Sequence, residues 1–249
     1  MVKTIYILWL REVKKYFRSK SRIIGSLGQP LLFMIALGFG FGSIYEKAAG
    51  GNYLEFLVPG IIAMSILFTA VFSGIEIIWD RKFGFLKETL VAPVSRFEIM
   101  IGRSLGGATA AVFQGILVLI LSFFIGFRIE NYSMILLAIV FMFMIALLFT
   151  ALGTAIASSM EDMQGFQLIM NFLIMPIFFL SGSLFPLNEL PNFLQKITYF
   201  NPLSYGIDGL RGALVNTVYF SISMDIVILG IIIVLLNVLG GYLFSKIQI

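Results

Sequence analysis

Apolar residues fill this chain in long runs, and polar residues collect in a few short segments between them. The hydrocarbon core of a bilayer is crossed by a helix of roughly 20 apolar residues. Six stretches meet that requirement, which predicts spans at residues 23–44, 54–78, 102–126, 134–157, 165–184 and 225–244. Ahead of the first span the pattern changes. Ile5, Leu8, Trp9, Val13, Tyr16 and Phe17 recur at helical spacing, while Arg11, Lys14, Lys15, Arg18 and Lys20 cover the rest of the surface. A basic helix with one apolar face lies in the headgroup region. Residues 1–22 are therefore expected to lie flat as an interfacial helix, with docking of a soluble helix on a partner as the alternative. The order of a cleaved signal peptide, a short basic stretch followed by an apolar core and small residues, is not found here.

The polar segments carry their own signals. Residues 79–101 are the most charged internal stretch; an amphipathic element there stops at Pro93, and Ser95 is placed to cap the helix that follows. Gly102, Gly106 and Ala110 set small residues four apart, a spacing that permits close helix packing. The connection 158–164 holds Glu161 and Asp162 and no basic residue. In region 185–215, Pro186, Pro191 and Pro202 break the chain, yet Phe193, Leu194, Ile197 and Phe200 keep it apolar. Non-helical backbone at membrane depth survives only where protein or a water-filled cavity satisfies it. Two short helices dipping into the outer leaflet fit that rule; a surface loop with an apolar underside is the other reading.

Composition sharpens the picture. The 249 residues are 59% hydrophobic and 12% charged, with a mean hydropathy of +1.01; soluble domains carry about twice that charge fraction. The chain contains no Cys and no His, which excludes disulfides, thiol catalysis, Cys/His zinc sites and Ser-His-Asp chemistry. Ionisable groups inside spans mark proton or ion paths, and almost none are present. Glu76 and Asp225 fall near span ends, where headgroup contact is expected. No G-x-x-x-x-G-K-[ST] run cradles a nucleotide, so no cofactor is expected in this chain. Residues 3–22 hold seven Lys or Arg and residues 81–103 hold five, against Lys47, Arg128, Lys196 and Arg211 on the other side. The positive-inside rule puts both termini in the cytoplasm. No internal repeat of the kind found in secondary transporters is apparent.

The run Phe179-Leu180-Ser181-Gly182-Ser183-Leu184-Phe185-Pro186, continuing to Pro191, then Asn201-Pro202-Leu203-Ser204-Tyr205 and Arg211, resembles a late signature of type-2 ABC exporter permeases, in particular the daunorubicin- and nodulation-factor-exporter group. The stretch 84–96, ending Ala-Pro-Val-Ser-Arg, is similar to that family's loop after the second span, and the resemblance covers essentially the whole chain. It implies an all-α membrane fold with six transmembrane helices, the N-terminal amphipathic helix, and short re-entrant helices between spans 5 and 6. It further implies a second permease copy, expected to be identical, and a separate ATP-binding cassette ATPase that holds the ATP and Mg2+. The coupling helix that docks on the ATPase would lie in 84–96, with Gly84, Phe85, Leu86, Glu88, Pro93 and Arg96 as its residues. Ser181, Gly182, Pro186, Pro191, Asn201, Pro202 and Arg211 would form the outer re-entrant signature. In relatives the second and fifth spans border the translocation path, which turns attention to Met64, Phe68, Phe72, Asn171, Met175 and Phe178.

The expected function is that of the permease subunit of an ATP-driven exporter in the cytoplasmic (inner) membrane of a prokaryote. It would be embedded in lipid, have no nucleic-acid partner, and have no ATPase site of its own. The expected cargo is an amphipathic or hydrophobic molecule, a drug or a lipid-like compound. A lipid-linked polysaccharide or teichoic-type polymer is the alternative cargo, and a transporter or scaffold without ATP the alternative class.

Overall fold

A computed structural model describes residues 2–49, 51–86, 94–189 and 191–246. It shows an all-α membrane protein; among the described residues there is no strand. The helices are α1 (Val2–Arg18), α2 (Lys20–Ala49), α3 (Tyr53–Ser73), α4 (Ile75–Lys82), α5 (Arg96–Ile125), α6 (Ile135–Ser158), α7 (Met163–Phe179), α8 (Asn192–Thr198), α9 (Pro202–Val215) and α10 (Ile222–Ser245). Five apolar segments are long enough to cross a bilayer, with α3 and α4 forming one continuous rod from Tyr53 to Lys82.

Helix α3 is the centre of the bundle, packed by α2, α5, α6 and α9. Nearly all of it from Leu57 to Leu67 is buried. Small residues let its neighbours approach at backbone distance. A Cβ at Gly74 would lie 2.5 Å from the carbonyl of Gly153 on α6, and one at Gly60 would lie 2.5 Å from the carbonyl of Ser183. Such contacts raise van der Waals packing where lipid supplies no hydrophobic drive between helices. Helix α5 begins at Arg96, where Ser95 accepts from the Glu98 amide and the Glu98 carboxylate accepts from the Ser95 amide, a capping box.

The structure adds a contact to one sequence expectation and changes two others. Helix α1 is the expected amphipathic N-terminal helix. It packs lengthwise on α5 in the same direction, Leu8 against Gly102 and Glu12 against Gly106, with the Tyr16 hydroxyl reaching Gln114. The small-residue stripe of α5 is the physical reason: it is a groove that only a close-packed helix fills. The expected fifth span, 165–184, contains a helix that stops at Phe179. Its 17 residues reach about 25 Å at 1.5 Å each, and turns carry the chain onward. Glu76 and Asp225, expected at the headgroups, are mostly or wholly shielded within the bundle.

The described residues of region 185–215 hold a 3-10 turn at Leu187–Glu189, then α8 and α9. Every residue of α9 from Leu203 to Val215 is buried, against α3, α6 and α10.

Candidate functional site

Two ends of the bundle are distinct. The basic end collects α1, α4 and the first turns of α2 and α5; the far end collects α8, α9 and the start of α10. At the basic end, acidic side chains of α4 meet basic side chains from three other elements. Glu76 accepts from Arg22 (2.7 Å, Oε1) and from Lys15 (3.0 Å, Oε2). Asp80, one turn on, is bound by Arg103 of α5, and by Arg11 at 3.4 Å and Lys15 at 3.5 Å. Asp80 and Arg103 are both about 95% shielded, whereas the side chains of Arg11, Lys15 and Arg22 are one-third to one-half exposed. Arg81 turns the other way and donates to the carbonyls of Ser158 (2.9 Å) and Met160 (3.2 Å), closing the C-terminus of α6. Helix α4 is thus tied by charge to α1, α2, α5 and α6.

Directly above this network is a cavity of about 350 Å3. Its floor is Glu12, Arg22 and Glu76; its walls carry Met64, Phe68 and Phe72 of α3, with Ser65 and Gln167 among its polar groups. Phe68 and Phe72 lie nearly parallel, ring centres 6.3 Å apart. Glu12 hydrogen-bonds Glu76, and its Oε1 is buried without a partner. Burial pushes its carboxyl up to about 7, with Arg103 opposing and Glu76 reinforcing the rise. Tyr16, another cavity residue, is pushed up to about 12 by burial and donates to Gln114 at 2.6 Å. The Ser65 hydroxyl, on a residue 3% exposed, also has no partner. A volume of this size with convergent polar groups on an apolar wall suits a small amphipathic molecule.

Of the residues the sequence singled out for the path, the structure brings Met64, Phe68 and Phe72 together here. Asn171 and Met175 point outward from α7. Phe178 is buried near the far end, its carbonyl accepting from Ser181 and Ser183. Within 84–96, Gly84 ends α4 with a φ of +81°, a conformation that favours glycine. Phe85 is exposed and Leu86 buried, and Arg96 is the first residue of α5. Glu88 and Pro93 lie outside the described residues.

The signature residues meet at the far end. Arg211 donates to the carbonyls of Phe56 and Gly182, both at 3.1 Å, and its guanidinium lies 3.9 Å from the Phe56 ring centre. Gly182 takes φ +75° with the Leu187 side chain where a Cβ would be. Asn201 caps α9 through Leu203 N (3.0 Å) and donates to the Ile177 carbonyl (2.6 Å), with Pro202 following at the first helical position. Pro191 precedes α8, and Pro186 borders a second hollow beside Arg211. These groups fasten the end of α7 to α3 and α9. Glu12, Arg22, Ser65 and Glu76 escaped the sequence reading of the path, although Glu76 within Ile75-Glu76-Ile77-Ile78 is an ionisable group in an apolar run, which was a usable signal.

Comparison with known proteins matches residues 3–215 to the family described as "ABC-2 type transporter". The chain is 27% identical to "Putative transport permease ycf38" of Cyanophora paradoxa over 99% of this chain and 89% of that protein. It is 30% identical to "Inner membrane transport permease YadH" of Escherichia coli (strain K12), over 82% and 80%. It is 28% identical to "Nodulation protein J" of Rhizobium leguminosarum bv. viciae, over 91% and 88%.

Proposed function

Because the chain belongs to the ABC-2 type transporter family and is a membrane transporter subunit, we propose that it exports a small amphipathic molecule using ATP hydrolysed by a separate cassette ATPase. The observation that carries this reading is the placement of the cavity on the rod that leads to the charged 84–96 segment. Phe72 and Glu76 line the cavity; two turns further, Trp79 and Phe83 stack at 5.2 Å, and exposed Phe85 follows. Movement of the segment by a docked ATPase would reach the cavity through a short, charge-tethered helix. In this reading the basic end faces the cytoplasm, as the distribution of Lys and Arg favours, and cargo enters there or from the inner leaflet. Two copies would form the path, with the outward polar side chain of Asn171 on α7 turned toward the seam. The membrane is the inner membrane of a prokaryote.

The polymer reading gains less support. Among the cavity residues there is no Trp to stack on sugars; Trp9 is bonded to Thr109 (2.9 Å) and Trp79 to Phe83.

The test is reconstitution of the chain with a cassette ATPase that co-purifies with it from its native membrane. Vanadate-sensitive uptake of an amphiphile into inside-out vesicles is expected, and removal of residues 84–96 is expected to release the ATPase while leaving insertion intact. Uphill transport by the purified chain alone would overturn the proposal, as would retention of the ATPase by the shortened chain.

A further inference from the structure

The cavity's charges are arranged unevenly. Arg22 lines the cavity, and Arg11 and Lys15 stand beside it in the adjoining charge network; all three are partly in water, their side chains 52%, 34% and 38% exposed, while that of Glu76 is 13% exposed. Inside, each base close to the carboxylates already has one as partner. Both oxygens of Glu76 are taken by Lys15 and Arg22, and Arg103 is held by Asp80. Glu12 alone of these three carboxyl groups has an oxygen buried without a partner. Also lining the cavity, the hydroxyl of Ser65 is equally unmatched, and the stacked rings of Phe68 and Phe72 line the same space. Aromatic faces attract cations, and an unpaired buried polar atom is a cost that a ligand can remove.

Resting on the transport reading above, we propose that the cavity binds an amphiphile carrying one protonated amine, with the Glu12 carboxylate as its counter-ion and Ser65 as a hydrogen-bond partner. Burial holds the Glu12 carboxyl near 7, so below that pH the Glu12 of the empty cavity keeps its proton. When the ammonium arrives, the Glu12 O–H bond breaks, its electron pair stays on the carboxylate, and the proton leaves to water. One positive charge enters and one leaves, so the net charge of the site is unchanged. The groups that face Glu12 are Lys15 and Tyr16 from α1, Arg22 from α2, Glu76 and Asp80 from α4, and Arg103 from α5. An anionic amphiphile would meet Glu76 and Glu12 with no unpaired base to receive it.

The experiment uses the full chain in nanodiscs of neutral phosphatidylcholine and three fluorescent probes of one shape: dansylcadaverine (amine), its N-acetyl derivative (neutral) and dansyl-aminohexanoate (anion). Empty nanodiscs give the background. The amine is expected to bind at least about tenfold tighter than the acetylated probe at pH 8, the effect of one desolvated charge pair. With Glu12 titrating near 7, the ionised fraction rises about tenfold between pH 6 and pH 8, so amine affinity rises by about that factor. Glu12→Gln is expected to abolish both the preference and the pH dependence while leaving the acetylated probe bound as before, which certifies the fold. Glu12→Asp is expected to keep the preference, and Ser65→Ala to weaken the amine a few-fold. The proposal is overturned if Glu12→Gln retains the amine preference or if the anion binds best. Equal binding of amine and acetylated probe overturns the charge requirement but leaves the amphiphile reading standing. Absence of saturable binding by every probe overturns the cavity as the cargo site, while the vesicle assay still judges ATP-driven export independently.

Discussion

Removing the carboxylate of Asp80 would strand a guanidinium. Arg103 is 5% exposed and Asp80 4% exposed, and Arg103 is the one buried base among the three that hold Asp80. The other two, Arg11 and Lys15, sit at 3.4 and 3.5 Å with side chains one-third or more exposed, so each contributes at most about 1 kcal/mol. Breaking a buried pair by deleting one partner costs about 3–5 kcal/mol, because the remaining charge is left without compensation. Asp80→Ala is therefore expected to lower unfolding free energy by about that amount, more than a hundredfold in the folding equilibrium. The double variant Asp80→Ala with Arg103→Met removes the stranded charge as well. It should recover most of the loss, since apolar replacement of both members of a buried pair is often neutral. The assay is SDS-induced unfolding in mixed micelles, followed by the fluorescence of Trp9 and Trp79, both at the basic end. A cost below about 1 kcal/mol for the single variant would refute the reasoning that burial makes this pair count, and so would a double variant no more stable than the single one.

Three further outcomes follow from the same structure. Arg211→Met should cost about 3 kcal/mol in the same assay, from two charge-assisted hydrogen bonds and one cation–π contact, and Arg211→Lys should cost less, because it keeps the charge and N–H donors while losing the planar fork. A chain with Leu8→Cys and Gly102→Cys should cross-link on mild oxidation, since a Cβ at position 102 falls 2.7 Å from that of Leu8 and the chain is otherwise free of Cys; no cross-link would place α1 elsewhere. Glu12 binds its proton more tightly folded, at about 7, than unfolded, at 4.5. Its contribution to stability is therefore present below pH 4.5 and lost as pH rises through 7, a decline that thermal unfolding should detect and that Glu12→Gln should remove.

The sequence by itself determined the class and five of its six apolar spans, because crossing a bilayer demands about 20 consecutive apolar residues and little else satisfies that length; the sixth, α7, proved shorter than its apolar run. Local chemistry was equally readable: Ser95 three residues before Glu98 announces a helix start, and the Gly102, Gly106, Ala110 stripe announces a close contact. What touches that stripe was not readable. Helix α1 has apolar and basic faces that suit headgroups as well as a groove, and only the structure shows which groove, that of α5, its apolar face meets. The same holds for the cavity. Glu12, Ser65, Glu76 and Gln167 stand on four different helices and belong to one site only because small residues let α3, α5 and α1 approach closely. Periodicity along a chain tells which face of a helix is apolar; it does not tell which neighbour that face meets. Asn171 and Met64 meet the same sequence criterion, and packing alone puts Met64 at the cavity and Asn171 on the outer face of α7.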